Sequence, residues 1–242
     1  MIETEIHERS MLGSLSGLAV AGLSRLLLWL FGLSWLPSDQ LAYLSTQSKA
    51  IIVLSHTSYL DFWLWILLKL SHPIDLQDLG FLVRPDVFRG IIGGWFRQMG
   101  CIPAVFDAKS KQFSVERVET LLRARPSFLF SLSPKGVLGP RPWQSGYFQL
   151  AFKLKVPIMV AGLDYEQKRM VTFPALSLEE PPLEESEIRN RLQIQMGTIV
   201  PLYPEQEVIP IRAHNPRNIS VISWTRIFFF LYSIVAGLYY LG

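Results

Sequence analysis

The apolar run Ala50-Ile51-Ile52-Val53-Leu54 is short and β-branched, the pattern of a strand buried on both faces. Past the interval 55–61 comes Phe62-Trp63-Leu64-Trp65-Ile66-Leu67-Leu68, a helix too apolar all round for an ordinary surface position. Further short runs predict strands over 80–84, 102–106, 127–132, 157–163 and 169–173. Between them the spacing predicts helices over 87–99, opened by Pro85-Asp86, and over 146–154. A third covers 110–123, where Phe113, Val115, Val118 and Leu122 share one face. The acidic, proline-containing stretch 179–187 predicts the start of a peripheral helix that runs to about residue 200. Strands alternating with helices predict an α/β fold, with a mixed, partly parallel sheet flanked by helices.

Both ends of the chain are apolar. Residues 12–36 are interrupted only by Arg25 and small polar residues, and Gly13, Gly17, Ala21 and Gly22 permit close helix packing. Arg25 is costly at a bilayer centre unless it faces protein or reaches the interface. The stretch therefore reads as one or two membrane-embedded, interfacial helices, against the competing reading of a buried soluble helix. Residues 227–241 carry no charge, and Trp224 and Tyr239-Tyr240 bracket them as belt aromatics. As a helix, 224–240 rises roughly 24 Å, short of a full hydrocarbon core. The expected organisation is a membrane-associated helical segment at 1–37, an α/β domain at 38–218 and an apolar membrane segment at 219–242. Arg212, Arg217 and Arg226 on the domain side favour an active site on the cytoplasmic face of a membrane.

Composition narrows the classes. The 242 residues suffice for one sizeable core. Half the residues are hydrophobic and 18% charged, a mixture that suits a globular domain with membrane-contacting segments. The net charge of +3 is scattered, so an anionic lipid surface fits and nucleic acid does not. A single cysteine, Cys101, excludes an internal disulfide. The first ten residues are too acidic for a secretory leader.

The chemistry gathers at Ser55-His56-Thr57-Ser58-Tyr59-Leu60-Asp61, where a strand hands over to a helix. Ligands are commonly received at the carboxyl ends of strands in such sheets. His56 and Asp61 point about 140° apart on a continuous helix, so they meet only with His56 in the turn and Asp61 in the first helical turn. A carboxylate so placed fixes the imidazole tautomer and steadies the imidazolium, giving a general base for a substrate hydroxyl. Ser58-x-x-Asp61 also fits a helix capping box, and on these residues alone the capping reading is the favoured one. His7, His56, His72 and His214 show no metal-ligand spacing, so no metal is expected.

Several pieces in order resemble the glycerophospholipid acyltransferases, which include the lysophosphatidic acid and lysophospholipid acyltransferases. His56 through Asp61 matches their His-x4-Asp motif. Phe81 through Phe88, continuing to Gly100-Cys101-Ile102-Pro103, is similar to their second block. Ser131-Leu132-Ser133-Pro134-Lys135-Gly136 stands in the place of their Pro-Glu-Gly-Thr-Arg block, and Val156-Pro157-Ile158 resembles their closing element. The resemblance implies acyl transfer from a thioester, acyl-CoA or acyl carrier protein, to a glycerolipid hydroxyl. His56 would act as base, Asp61 as its orienter, and no cofactor would be needed. It implies a membrane lipid as partner and positions that hold the acceptor's phosphate; these positions are altered here, and Arg84, Lys135 and Arg141 are the candidates for replacement positive charge, with Gly136 beside them as a further substrate-binding candidate. The departures are Lys135 in place of glutamate, Val137-Leu138 in place of Thr-Arg, and Val105-Phe106-Asp107 where a basic residue usually ends the second block, with Lys109 and Lys111 just beyond. They leave a zwitterionic lysophospholipid as reasonable an acceptor as lysophosphatidic acid. They also motivate the alternative of a non-catalytic lipid-binding scaffold. A hydrolase is disfavoured, since no Gly-x-Ser-x-Gly elbow occurs.

Overall fold

Strand β1, Lys49–Leu54, lies inside a six-stranded sheet with strands on both of its sides. The others are β2 Leu79–Val83, β3 Ile102–Pro103, β4 Phe128–Leu132, β5 Ile158–Asp164 and β6 Arg169–Thr172, and the order across the sheet is β3-β2-β4-β1-β5-β6. Pairing is parallel throughout except for the antiparallel edge pair β5–β6. The computed structural model describes residues 15–33, 38–73, 76–104, 114–178, 184–216 and 219.

Because side chains alternate along a strand, β1 feeds two separate cores. Ala50, Ile52 and Leu54 face one apolar cluster, whereas Ile51 and Val53 face the other. Helix α1 (Leu15–Leu30), α2 (Ser38–Thr46), α3 (Tyr59–Ser71) and α4 (Gly90–Gln98) flank the first face. Helices α5 (Val115–Arg123), α6 (Gly146–Leu154) and α7 (Glu185–Gly197) flank the second. Burial on both faces explains why β1, β4 and β5 read as continuous apolar runs.

The predicted helix over 87–99 is two pieces, a 3₁₀ turn at Pro85–Phe88 and then α4. Gly90 takes φ +68°, a backbone state that L side chains resist, and this re-aims the chain between the pieces. Gly80 has a different role: a Cβ there would lie 2.5 Å from the Gly100 carbonyl oxygen, so its absence lets the turn before β3 lie on β2. Helix α2 was not predicted from the pattern. Its Gln40 side chain accepts from the Thr172 amide at 3.1 Å, and Tyr43 Oη accepts from the Ala175 amide at 2.7 Å. The predicted residues 105–106 of β3 and 110–113 of α5, including Phe113, lie outside the described residues.

Among the described residues, no helix is long and apolar enough to cross a membrane. The N-terminal apolar stretch gives the 16-residue α1, which packs on α3 through a stripe that includes Ala21, Ser24 and Leu28. Arg25 Nε donates to the Ser71 carbonyl at 2.9 Å, placing its charge at the negative end of α3. Leu18, Val20 and Leu23 remain exposed on α1. All of the expected C-terminal apolar segment except Ile219 lies outside the described residues.

Candidate active site

The chain leaves β1 at Leu54, turns through Ser55-His56-Thr57 and enters α3 with Ser58 as its cap. Ser58 Oγ accepts from the Leu60 amide at 3.0 Å, and Asp61 Oδ2 accepts from the Ser58 amide at 2.9 Å. That reciprocal pair is a capping box, so the helix start follows from the local sequence alone. Asp61 Oδ2 also accepts from the Thr57 amide at 2.8 Å. The same oxygen lies 3.8 Å from His56 Nδ1. The capping bonds thus fix the carboxylate beside the imidazole. The separation is that of an ion pair and exceeds a hydrogen bond. The His56 side chain is 26% exposed and that of Asp61 only 6%.

The other carboxylate oxygen is taken from across the sheet. Tyr165, just past the end of β5, donates its hydroxyl to Asp61 Oδ1 at 2.5 Å. Burial first, then the Asp61 charge, push the Tyr165 phenol well above its ordinary range, so it stays a donor. Ser55, Asp61, Leu163, Tyr165 and Pro201 line a crevice at this point.

A segment following α7 closes the same edge of the sheet. The Tyr203 amide donates to Thr57 Oγ1 at 3.3 Å, and Ser55 Oγ donates to Glu207 Oε1 at 2.7 Å. The segment is clamped by Asp164, which accepts from the Val200 amide at 3.3 Å and from Arg212 Nη2 at 3.1 Å.

The other candidates are found at the C-terminal ends of neighbouring strands, although in different states. Lys135, in the loop after β4, is buried: its Nζ lies 3.2 Å from Glu207 Oε1 and donates to the Gln206 carbonyl at 3.0 Å. Lys135, expected among the substrate-binding residues, is thus buried and paired, since a buried ammonium requires a counter-charge and Glu207 supplies it. Arg84, past the end of β2, is exposed and bound in a fork by Asp86, with both contacts at 3.1 Å. Gly136 occupies a turn at φ +73°, and its amide donates to the Ser133 carbonyl at 3.1 Å. Arg141 is exposed. Lys109 and Lys111 lie outside the described residues. Among the described residues no group of three or more His, Cys, Asp or Glu side chains could hold a metal.

The family model for acyltransferases matches residues 38–163, just over half of the chain. The chain belongs to the glycerophospholipid acyltransferase family. No curated protein matches it. The matched region of this acyltransferase contains β1 to all but the last residue of β5, and with them His56, Asp61, Arg84, Lys135, Gly136 and Arg141. Tyr165 and Glu207 lie beyond the match, and the sequence reading missed both. Tyr165 carried one usable signal, as a polar aromatic at the carboxyl end of a strand already identified. Glu207 carried none, being 152 positions from Ser55 and in no motif.

Proposed function

We propose that the protein moves a fatty acyl group from a thioester, acyl-CoA or acyl carrier protein, to a glycerolipid hydroxyl such as that of lysophosphatidic acid or another lysophospholipid. The observation that carries this reading is the pairing of a partly exposed imidazole with a carboxylate fixed by three donors, in a chain of an acyltransferase family. His56 Nε2 takes the hydroxyl proton as the oxygen attacks the thioester carbonyl. Asp61 on the Nδ1 side stabilises the imidazolium that forms. The tetrahedral adduct then collapses, the C–S bond breaks, and the imidazolium returns the proton to the departing thiolate. An ester and a free thiol result. Closure of the 3.8 Å gap by about 1 Å as substrate binds would give an Nδ1–H to carboxylate hydrogen bond, since such contacts are often long before substrate arrives.

The acceptor is a membrane lipid, and each methylene withdrawn into water costs about 0.8 kcal/mol, so the reaction is best done at the bilayer surface. Leu18, Val20 and Leu23 on α1 with Tyr59 and Trp63 on α3 are exposed apolar side chains suited to that contact. An active site on the cytoplasmic face accords with the basic residues near the C-terminal apolar segment.

Purified protein incubated with labelled acyl-CoA or acyl carrier protein and a panel of lysolipids tests the reading. Transfer that is lost in His56→Ala supports it, and a folded protein that transfers to no acceptor refutes it. The second outcome would favour a lipid-binding scaffold, a reading motivated by the internal pairing of Lys135.

A further inference from the structure

We propose that Ser55 is a positioning residue for acyl transfer: bonded to Glu207, it ties the turn that carries His56 to the chain after α7 and so holds the imidazole in register with Asp61. The inference rests on the acyl-transfer reading and deepens it, adding a residue that acts through the base. The 3.8 Å between His56 Nδ1 and Asp61 Oδ2 exceeds a hydrogen bond, so no bond to Asp61 holds the ring, and the backbone of the turn sets where it stands. That backbone belongs neither to β1, which ends at Leu54, nor to α3, which begins at Tyr59. The residues on either side of His56 are both tied to one distant segment. Ser55 Oγ donates to Glu207 Oε1 at 2.7 Å, and Thr57 Oγ1 accepts from the Tyr203 amide at 3.3 Å. The Ser55 bond is the shorter of the two and its acceptor is a carboxylate, which makes it the stronger tie.

A tie positions a group only when its far end is fixed. Glu207 and Lys135 are each 1% exposed and 3.2 Å apart, and Lys135 Nζ also donates to the Gln206 carbonyl at 3.0 Å. Glu207 therefore cannot swing away without leaving a buried charge unpaired. The start of the segment is anchored as well. Asp164, the last residue of β5, accepts from the Val200 amide and from Arg212, and the Tyr165 amide donates to the Val200 carbonyl at 2.8 Å. Pro201, between these anchors, joins Ser55 and Asp61 in lining the crevice. The segment braces the turn from outside the sheet, and the Lys135–Glu207 pair anchors the brace. A base displaced by about 1 Å costs on the order of 10²-fold in rate, so a bond that holds the turn acts on the chemical step.

The experiment measures kcat and KM of the full-length protein with labelled acyl-CoA and the best acceptor of the lysolipid panel. Ser55→Ala should lower kcat by on the order of 10- to 100-fold with KM within about threefold of wild type, because the loss falls on the transition state. Ser55→Thr, which keeps the hydroxyl, should restore most of the rate. In an Asp61→Asn background, where the base has already lost its partner, Ser55→Ala should cost less than about threefold, since residues that act through one arrangement are not additive. A merely structural role predicts the same loss in both backgrounds. An unchanged kcat in folded Ser55→Ala, or full additivity with Asp61→Asn, overturns the inference and leaves acyl transfer intact. A loss beyond about 10⁴-fold also overturns it, because Ser55 would then be a reacting group. Absence of transfer by the wild type to every acceptor overturns the acyl-transfer reading beneath it. Should Ser55→Ala fail to fold, Ser55→Cys decides, since a thiol is of similar shape but a weak donor. A fall in kcat of about 3- to 10-fold at unchanged KM supports the inference, and an unchanged kcat overturns it.

Discussion

Asp61 caps a helix and, in the proposed mechanism, also orients a base, and replacing it by asparagine separates the two. The carboxylate receives the Thr57 and Ser58 amides on Oδ2 and the Tyr165 hydroxyl on Oδ1. An asparagine with its oxygen in the Oδ2 position keeps both backbone bonds but loses their charge assistance, a loss of about 1 kcal/mol for each. Its amide group faces Tyr165, whose hydroxyl turns from donor to acceptor, so that contact survives in reverse. Asp61→Asn should therefore lower stability by about 2 kcal/mol. Ser58→Ala removes only the bond to the Leu60 amide and should cost about 1 kcal/mol. Urea melts of the two variants measure these losses, and the acyl-transfer assay is run where both are folded. An orienting carboxylate predicts a fall in kcat of ~10²–10⁴-fold for Asp61→Asn and less than about threefold for Ser58→Ala. If folded Asp61→Asn keeps kcat within about threefold of wild type, Asp61 is a helix cap and nothing more, and the mechanism fails.

Tyr165→Phe removes a buried donor from Asp61, and stability should fall by about 1.5–3 kcal/mol. The carboxylate, relieved of one donor, holds the imidazolium more strongly, so the acid limb of the rate–pH profile should move to higher pH. A limb that stays in place would make Tyr165 a packing residue. Gly80→Ala sets a methyl 2.5 Å from the Gly100 carbonyl oxygen, which is backbone and cannot swing aside. Thermal melts should show a loss of about 1–3 kcal/mol. Lys69 is buried and donates to the Gln77 and Leu79 carbonyls; desolvation lowers it from 10.5 to about 8. A base lowered in the folded state leaves the unfolded chain binding more protons between about 8 and 10.5, so stability contributed by this group rises with pH across that window. The excess of the wild type over Lys69→Met should grow with pH through this window, most steeply near pH 9 at up to about 1.4 kcal/mol per pH unit. Burial raises Cys101 to about 12, which acts in the opposite sense above about pH 9, so wild-type stability should then level off.

The α/β class and the positions of β2, β6 and α6 were legible in the sequence, and those of β1, β4 and β5 most plainly, because burial on two faces writes itself as apolar runs between turn residues. His56 and Asp61 were legible for a related reason. A capping box is a local device, fixed by residues three positions apart, so the sequence alone determines where the helix starts and where its acid sits. Helix α2 escaped notice because no strong periodicity marks it and its side-chain bonds run to the β6 side of the sheet. The break between the 3₁₀ turn and α4 depended on the backbone state at Gly90, which no apolar pattern encodes.

What the sequence could not determine was the use to which each charge is put. Lys135 looks like any loop lysine until α7 and the segment after it bring Glu207 within 3.2 Å, and only then is the ammonium buried and spent. Tyr165 gains its role because β5 lies next to β1 in the sheet, which places its hydroxyl on Asp61 from 104 positions away. Arg25, read from the sequence as a problem for a membrane segment, becomes the partner of the last residue of α3 once α1 packs there. Local bonds belong to neighbours along the chain and can be read from their order. Partners for buried charges are chosen by topology, since desolvation makes a charge depend on whichever distant group the fold delivers to it.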